Sequence, residues 1–234
     1  MTPPELVIFD CDGVLIDSES LVNRIHAELL AECGFAIGEA ALLERFCGMS
    51  DKEMCAIIER EAGRQLPADY ADRIAAAVAR EYPRSLKAID GAAAALAAIA
   101  TPVCVASSSL PGQLRLGLAA TGLAGYFGDN VFSAAMVARG KPAPDLFLHA
   151  AARMGAAPAQ CIVVEDSLPG IAAAAAAGMT AIGFTGGSHC RPGHGARLAD
   201  AGAALVIDRM TDLIPTIAQT TRRSRLDRNR PGRV

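Results

Sequence analysis

From Gly91 onward, short apolar runs alternate with helix-like stretches, and no other feature restricts the fold of this chain as strongly. Residues 103–106, 131–133, 161–165, 180–184 and 205–207 read as strands. Helical patterns occupy 111–121, 145–154, 169–177 and 211–218, with an Ala-rich helix at 91–100 and an earlier strand at 6–9. Strands this short and apolar, separated by helices, imply a parallel sheet covered on both faces. Between about residues 20 and 88 the pattern changes to helical periodicity alone, at 21–33, 39–46, 51–63 and 69–82. The predicted fold class is therefore α/β. A doubly wound parallel sheet core is built from residues 1–17 and 88–218, with an inserted helical domain at 18–87.

Composition narrows the function classes. The 234 residues suffice for one large domain or two modest ones. A formal net charge of −3 with 20% charged residues does not mark a nucleic-acid binder. Hydrophobic residues reach 52%, largely through alanine, while aromatics are 4% and tryptophan is absent. Such a core suits helices lying close against a sheet and does not suit a platform for stacking bases. No basic segment leads into a signal-type apolar stretch, and the apolar runs 92–100 and 171–177 are too short to span a membrane, so no membrane partner is expected. The seven cysteines are odd in number, and none has C-x-x-C spacing. Several sit in apolar runs as small hydrophobes, which points to a reducing, cytoplasmic setting. Cys11 is turned away from its neighbours Asp10 and Asp12 by strand alternation. His189, Cys190 and His194 lie in a Gly-rich stretch with no fourth ligand at zinc-finger spacing, and read as a surface loop. Arg222, Arg223, Arg225, Arg228, Arg230 and Arg233 crowd residues 219–234, which read as a basic, disordered terminus.

The chemistry-bearing residues stand at strand ends. Asp10-Cys11-Asp12-Gly13 follows the strand 6–9 directly. Residues i and i+2 of an extended chain face the same side, so Asp10 and Asp12 converge. Two carboxylates that close call for a cation or a shared proton, and Mg²⁺ with oxygen ligands meets the need. One carboxylate can attack an electrophile while the other handles protons. Ser107-Ser108-Ser109 ends the second strand before a helix, where hydroxyls and backbone N–H groups form an anion-binding corner. Lys141 precedes Pro142, which biases it to an extended backbone from which its ammonium reaches across a site. Glu165 and Asp166 bring further carboxylates at the end of the strand 161–165. Carboxylates, lysine and serine without histidine describe magnesium-dependent phosphoryl transfer.

These residues resemble the motifs of the haloacid-dehalogenase-like hydrolases. Phe9-Asp10-Cys11-Asp12-Gly13-Val14-Leu15 is similar to the first motif of the family, Ser107 to the second, Lys141-Pro142 to the third and Val164-Glu165-Asp166-Ser167 to the fourth. The resemblance covers all but the arginine-rich terminus. It lies with the helical-cap subgroup that includes β-phosphoglucomutases and phosphoglycolate phosphatases. Asp17-Ser18-Glu19, Arg45-Phe46-Cys47-Gly48 and residues 161–178 read most like the bacterial sugar-phosphate phosphatases around 6-phosphogluconate phosphatase. The resemblance implies a Rossmann-like core with an α-helical cap. It implies that Asp10 is the nucleophile forming an aspartyl-phosphate and that Asp12 protonates the leaving alcohol and then activates water. Asp10, the Asp12 carbonyl and Asp166 would hold Mg²⁺ with Glu165 in support. Ser107, Ser108 and Lys141 would hold the phosphoryl group, and Gly48-Met49-Ser50 would face the core from the cap. The implied partner is a small phosphorylated metabolite, and the implied state a monomer.

Asp12 favours phosphate chemistry over dehalogenation, because an alkoxide leaving group needs a proton. Phosphonate-cleaving relatives use a cap lysine, whereas residues 20–31 hold Arg24 and no lysine. Two other readings stand beside the phosphatase. A mutase of the β-phosphoglucomutase type would need a cap histidine at the position of Val22, with His26 one turn further on. It would also need a basic residue at Asp51, with Lys52 one residue off. A catalytically silent metabolite-binding module would be expected to lack Asp10 or Asp12.

Overall fold

The computed structural model describes residues 3–228. Strand β1 (Leu6–Phe9) is fully buried and pairs in parallel with β2 (Val103–Ser107) on one side and β4 (Cys161–Glu165) on the other. Strand β3 (Val131–Ser133) extends the sheet beyond β2, and β5 (Thr180–Phe184) and β6 (Leu205–Ile207) extend it beyond β4. The order is β3-β2-β1-β4-β5-β6, with every pairing parallel. The chain winds outward from β1 through β3, then crosses back to β4 and winds out the other way. In such sheets ligands collect at the carboxyl ends of the strands where the winding reverses, here between β1 and β4.

Alternation along β1 sorts its side chains to two faces. Val7 and Phe9 join one buried apolar cluster, while Leu6 and Ile8 join a second. The first cluster continues without a break into the inserted helices α1 (Glu19–Glu32), α2 (Glu39–Phe46), α3 (Asp51–Ala62) and α4 (Tyr70–Ser85), through Leu30, Leu42, Ile58 and Val78. The remaining helices are α5 (Ala92–Ala98), α6 (Pro111–Ala120), α7 (Ala124–Phe127), α8 (Asp145–Met154), α9 (Leu168–Ala176), α10 (His194–Asp200) and α11 (Leu213–Arg228). Helices α8 and α9 cover the second face with Leu146, Phe147, Ala173 and Ala174.

The two connections into the insertion are tied to each other. Ile16 and Ala88 form an antiparallel bridge, Asp17 N–H donates to the Lys87 carbonyl at 2.9 Å, and Ile89 N–H donates to the Leu15 carbonyl at 2.9 Å. Beyond them, α3 opens with a reciprocal cap between Ser50 and Glu53 and stops at Gly63, whose φ of 63° a side chain would resist.

Two expectations need correction. The short helices α7 and α10 are absent from the sequence reading, because four and seven residues carry too little periodicity. Helix α11 does not stop at 218 but runs to Arg228. Beyond 218 the sequence supplies arginine, glutamine and leucine, which are good helix formers, and extending an existing helix adds a hydrogen bond for each residue fixed. Of the terminal arginines, Arg230 and Arg233 lie outside the described residues.

Candidate active site

The chain leaves β1 still paired, with Asp10 N–H donating to the Val164 carbonyl at 2.9 Å. It then winds around the Cys11 carbonyl, which accepts from Leu15 N–H at 2.9 Å and Ile16 N–H at 3.1 Å. Gly13 sits in this turn at φ 76°, and a Cβ there would collide with the Asp166 carboxylate. Glycine therefore serves both the turn and the close approach. Cys11 itself is buried in the apolar cluster, as alternation predicts.

The turn presents two carboxylates in different surroundings. Asp10 is 5% exposed, and its Oδ1 accepts from Lys141 Nζ at 2.8 Å. Lys141, equally buried, donates at 2.7 Å to Glu165 Oε1, whose other oxygen accepts from Ser167 N–H at 2.7 Å. Asp12 is instead held by hydroxyls. Ser18 donates to its Oδ1 at 2.6 Å, and Ser109 and Ser107 donate to its Oδ2 at 2.7 and 3.2 Å. The Lys141–Pro142 bond is cis. Gly170 allows α9 to lie against Glu165, since a Cβ there would strike that side chain.

Charge is out of balance at this centre. Asp10, Glu165 and Asp166 each place a carboxylate oxygen within 4.8 Å of the others, and Lys141 is the cation bonded among them. Burial, reinforced by Glu165 and the other carboxylates, raises the Asp10 and Asp166 carboxyls well above the ordinary range, although Lys141 pulls the other way. Burial alone would lower the Lys141 ammonium, but Asp10 and Glu165 outweigh it and hold it charged. Asp166 Oδ2 is buried without a hydrogen-bond partner. His189 Nε2 stands 3.0 Å away but lacks the alignment of a hydrogen bond. Three clustered carboxylates, one with an orphaned oxygen, fit a hard divalent cation such as Mg²⁺.

Above Asp10 opens a cleft of about 560 Å³, open solvent included. The core contributes Asp10, Asp12, Ser107, Ser108 and Ser109, and the insertion contributes Glu19, Asn23, His26, Met49 and Asp51. Ser108 Oγ donates to the Gly48 carbonyl at 3.1 Å. A Cβ on Gly48 would collide with Ser167, so the Gly48-Met49-Ser50 loop does meet the core. His26 is buried with Nδ1 3.0 Å from the Tyr70 hydroxyl, Val22 and Asp51 line the cleft, and Lys52 is exposed. All the sequence-predicted residues thus come together, except that the Asp12 carboxylate lies with the serines rather than with the three clustered carboxylates.

Sequence reasoning missed two acid–base groups. Glu19, half-buried in the cleft wall, is pushed up to about 8 by burial and by Asp166. Its signal was its place soon after the first acidic pair. His189 corrects the surface-loop reading: it is 6% exposed and packs against Asp166. The Gly186-Gly187 turn folds the loop inward, since a Cβ on Gly187 would press on the His189 ring at 2.7 Å. A ring nitrogen of His194 lies 2.6 Å from the Asp166 carbonyl. Nothing local in the sequence announces this contact.

Comparison with known proteins gives a consistent answer. The family description "haloacid dehalogenase-like hydrolase" matches residues 4–178. The chain is 35% identical to the 6-phosphogluconate phosphatase of Escherichia coli K12, over 82% of this chain and 87% of that one. It is 33% identical to a fructose-1-phosphate phosphatase of the same organism, over 75% and 94% of the two chains. A solved haloacid dehalogenase-like protein of unknown function from Agrobacterium tumefaciens C58 is 44% identical, with a TM-score of 0.79 over 93% of this chain and 99% of that one. Among the described residues, no helix is long and apolar enough to cross a membrane.

Proposed function

The chain belongs to the haloacid dehalogenase-like hydrolases and is a phosphatase, and from that premise we propose that it releases phosphate from a small phosphorylated sugar or sugar acid through a phosphorylated Asp10. The observation that carries the reading is the unequal treatment of two adjacent carboxylates. Asp10 has one oxygen bonded to a buried lysine, whereas Asp12 is ringed by serine hydroxyls at the cleft. The first arrangement suits a nucleophile, with one oxygen pinned and the other left to attack. The second suits a group that gives and takes protons in contact with the substrate.

In the first half-reaction an Asp10 oxygen bonds to phosphorus as the bond from phosphorus to the sugar oxygen breaks. Asp12 gives its proton to that oxygen. In the second half, Asp12 takes a proton from water, the water oxygen bonds to phosphorus, and the Asp10–phosphorus bond breaks. Lys141 and the hydroxyls of Ser107 and Ser108 bind the transferring group's oxygens. Asp10, the Asp12 carbonyl and Asp166 would hold Mg²⁺, with Glu165 in support, and the ion would supply charge neutralisation and orientation of the phosphate. The core spans 1–17 and the chain from 88 through α11, and the cap 18–87, in a monomeric cytoplasmic enzyme. The names of the two Escherichia coli relatives support a phosphorylated sugar or sugar acid as the substrate class.

Asp10→Asn tests the reading, because the amide keeps the size and cannot attack. Release of inorganic phosphate from a panel of phosphorylated sugars should fall by about 10⁴-fold or more, as when a covalent nucleophile is removed elsewhere. The circular-dichroism melt should remain cooperative. Near-normal turnover in the folded variant would refute the mechanism.

A further inference from the structure

Cys47, Asp166 and His189 come from three distant parts of the chain: the end of α2, the end of β4 and the loop after β5. One donor atom of each lies within 4.8 Å of the other two. Asp166, more than nine-tenths buried, carries the unpartnered Oδ2, and the buried His189 brings its Nε2, which also meets Cys190 Sγ at 3.4 Å, to 3.0 Å from that oxygen. The sulfur comes from the helical insertion and the nitrogen from the core. A thiolate, an imidazole and a carboxylate form the donor set of zinc, whereas magnesium takes oxygen alone. Three protein ligands leave the fourth tetrahedral position to water.

We propose that Cys47, His189 and Asp166 form a second metal site, selective for Zn²⁺ and other thiophilic divalent cations, that ties the insertion to the core and inhibits by drawing Asp166 from the magnesium centre. Binding displaces the Cys47 thiol proton. The ion then holds the end of α2 to the loop after β5, and so the insertion to the core beside the cleft wall that Phe46 and Gly48 form. The inhibitory half rests on the phosphatase reading; the binding half does not.

Co²⁺ titrated into the metal-free full chain, in excess Mg²⁺, provides the test. One equivalent should bind with a thiolate-to-cobalt charge-transfer band in the near ultraviolet, and Zn²⁺ should displace it. Cys47→Ser should remove the band, with Cys47→Ala as the substitute if the serine variant does not fold. His189→Asn should weaken binding about 10- to 100-fold. With Mg²⁺ saturating, Zn²⁺ should suppress phosphate release, and Cys47→Ser should retain basal turnover while needing at least tenfold more Zn²⁺ for the same inhibition. Absence of the band in the unmodified protein, or a band that survives Cys47→Ser and disappears in Cys190→Ser, would overturn the site. Zinc inhibition unchanged in Cys47→Ser would overturn the inhibitory role. If the chain releases no phosphate at all, the cobalt band still reports the site, so the two failures are distinguishable.

Discussion

Glu19 carries the charge of the centre out into the cleft wall. Burial and Asp166 raise its carboxyl to about 8, above the ordinary carboxylate value near 4. A folded-state value above the unfolded one means that folding favours the protonated form. Its contribution is complete below the unfolded value and is lost as pH rises toward 8. Glu19→Gln fixes the neutral form. The melting temperature of the metal-free protein should therefore fall more steeply between pH 5 and 8.5 than that of Glu19→Gln, and parallel curves would refute the assignment. At this scale the sequence was readable wherever chemistry coincides with a strand end. Asp10, Ser107, Glu165 and Asp166 needed only the end of an apolar run to be placed. Lys141 and its proline also stood out. Glu19 and His189 did not, because a helix docking and an inward loop bring them to the centre, and neither leaves a local pattern.

The insertion and the core meet element to element where α4 packs on α6 around Gly117. A Cβ at Gly117 would stand 2.8 Å from Ile16 Cδ1 and 3.3 Å from Tyr82 Cε2. Ile16 belongs to the paired connections and Tyr82 to α4, so the glycine sets how closely all three approach. Gly117→Leu should overpack this contact by about 1–3 kcal/mol. For a chain of this size that lowers the melting temperature by about 2–4 °C for each kcal/mol. An unchanged midpoint would show that the helices part freely. The long helices were legible from their 3.6-residue period, whereas the bridge between Ile16 and Ala88 was not. Two single residues 72 positions apart carry no periodicity, and only the folded insertion brings them together.

The whole molecule should behave as a metal-dependent phosphatase. Excess EDTA should reduce phosphate release to background and Mg²⁺ should restore it; full activity in the chelator would contradict the three-carboxylate centre. Interconversion of glucose 1-phosphate and glucose 6-phosphate should stay at background even with a bisphosphate primer, since Asp51 lines the cleft and Lys52 is exposed. A coupled dehydrogenase assay measures this, and isomerisation outrunning phosphate release would favour the mutase. The α/β class followed from alternation alone, but the strand order did not. Order depends on which way each crossover turns, a choice made by packing between distant residues.

The place of β1 between β2 and β4 has a consequence for biosynthesis. Asp166 follows Asp10 by 156 residues, and Lys141 follows it by 131. At roughly 5–20 residues per second, a ribosome leaves Asp10 without Asp166 for about 8–30 s. Throughout that interval Leu6–Phe9, wholly apolar, lacks β4 in full along one edge, and until residue 107 is made it lacks β2 along the other as well. An unpaired apolar strand is a template for association with other chains. The apolar segment that leads into Asp10 is therefore open to such association for much of the time the chain is being made.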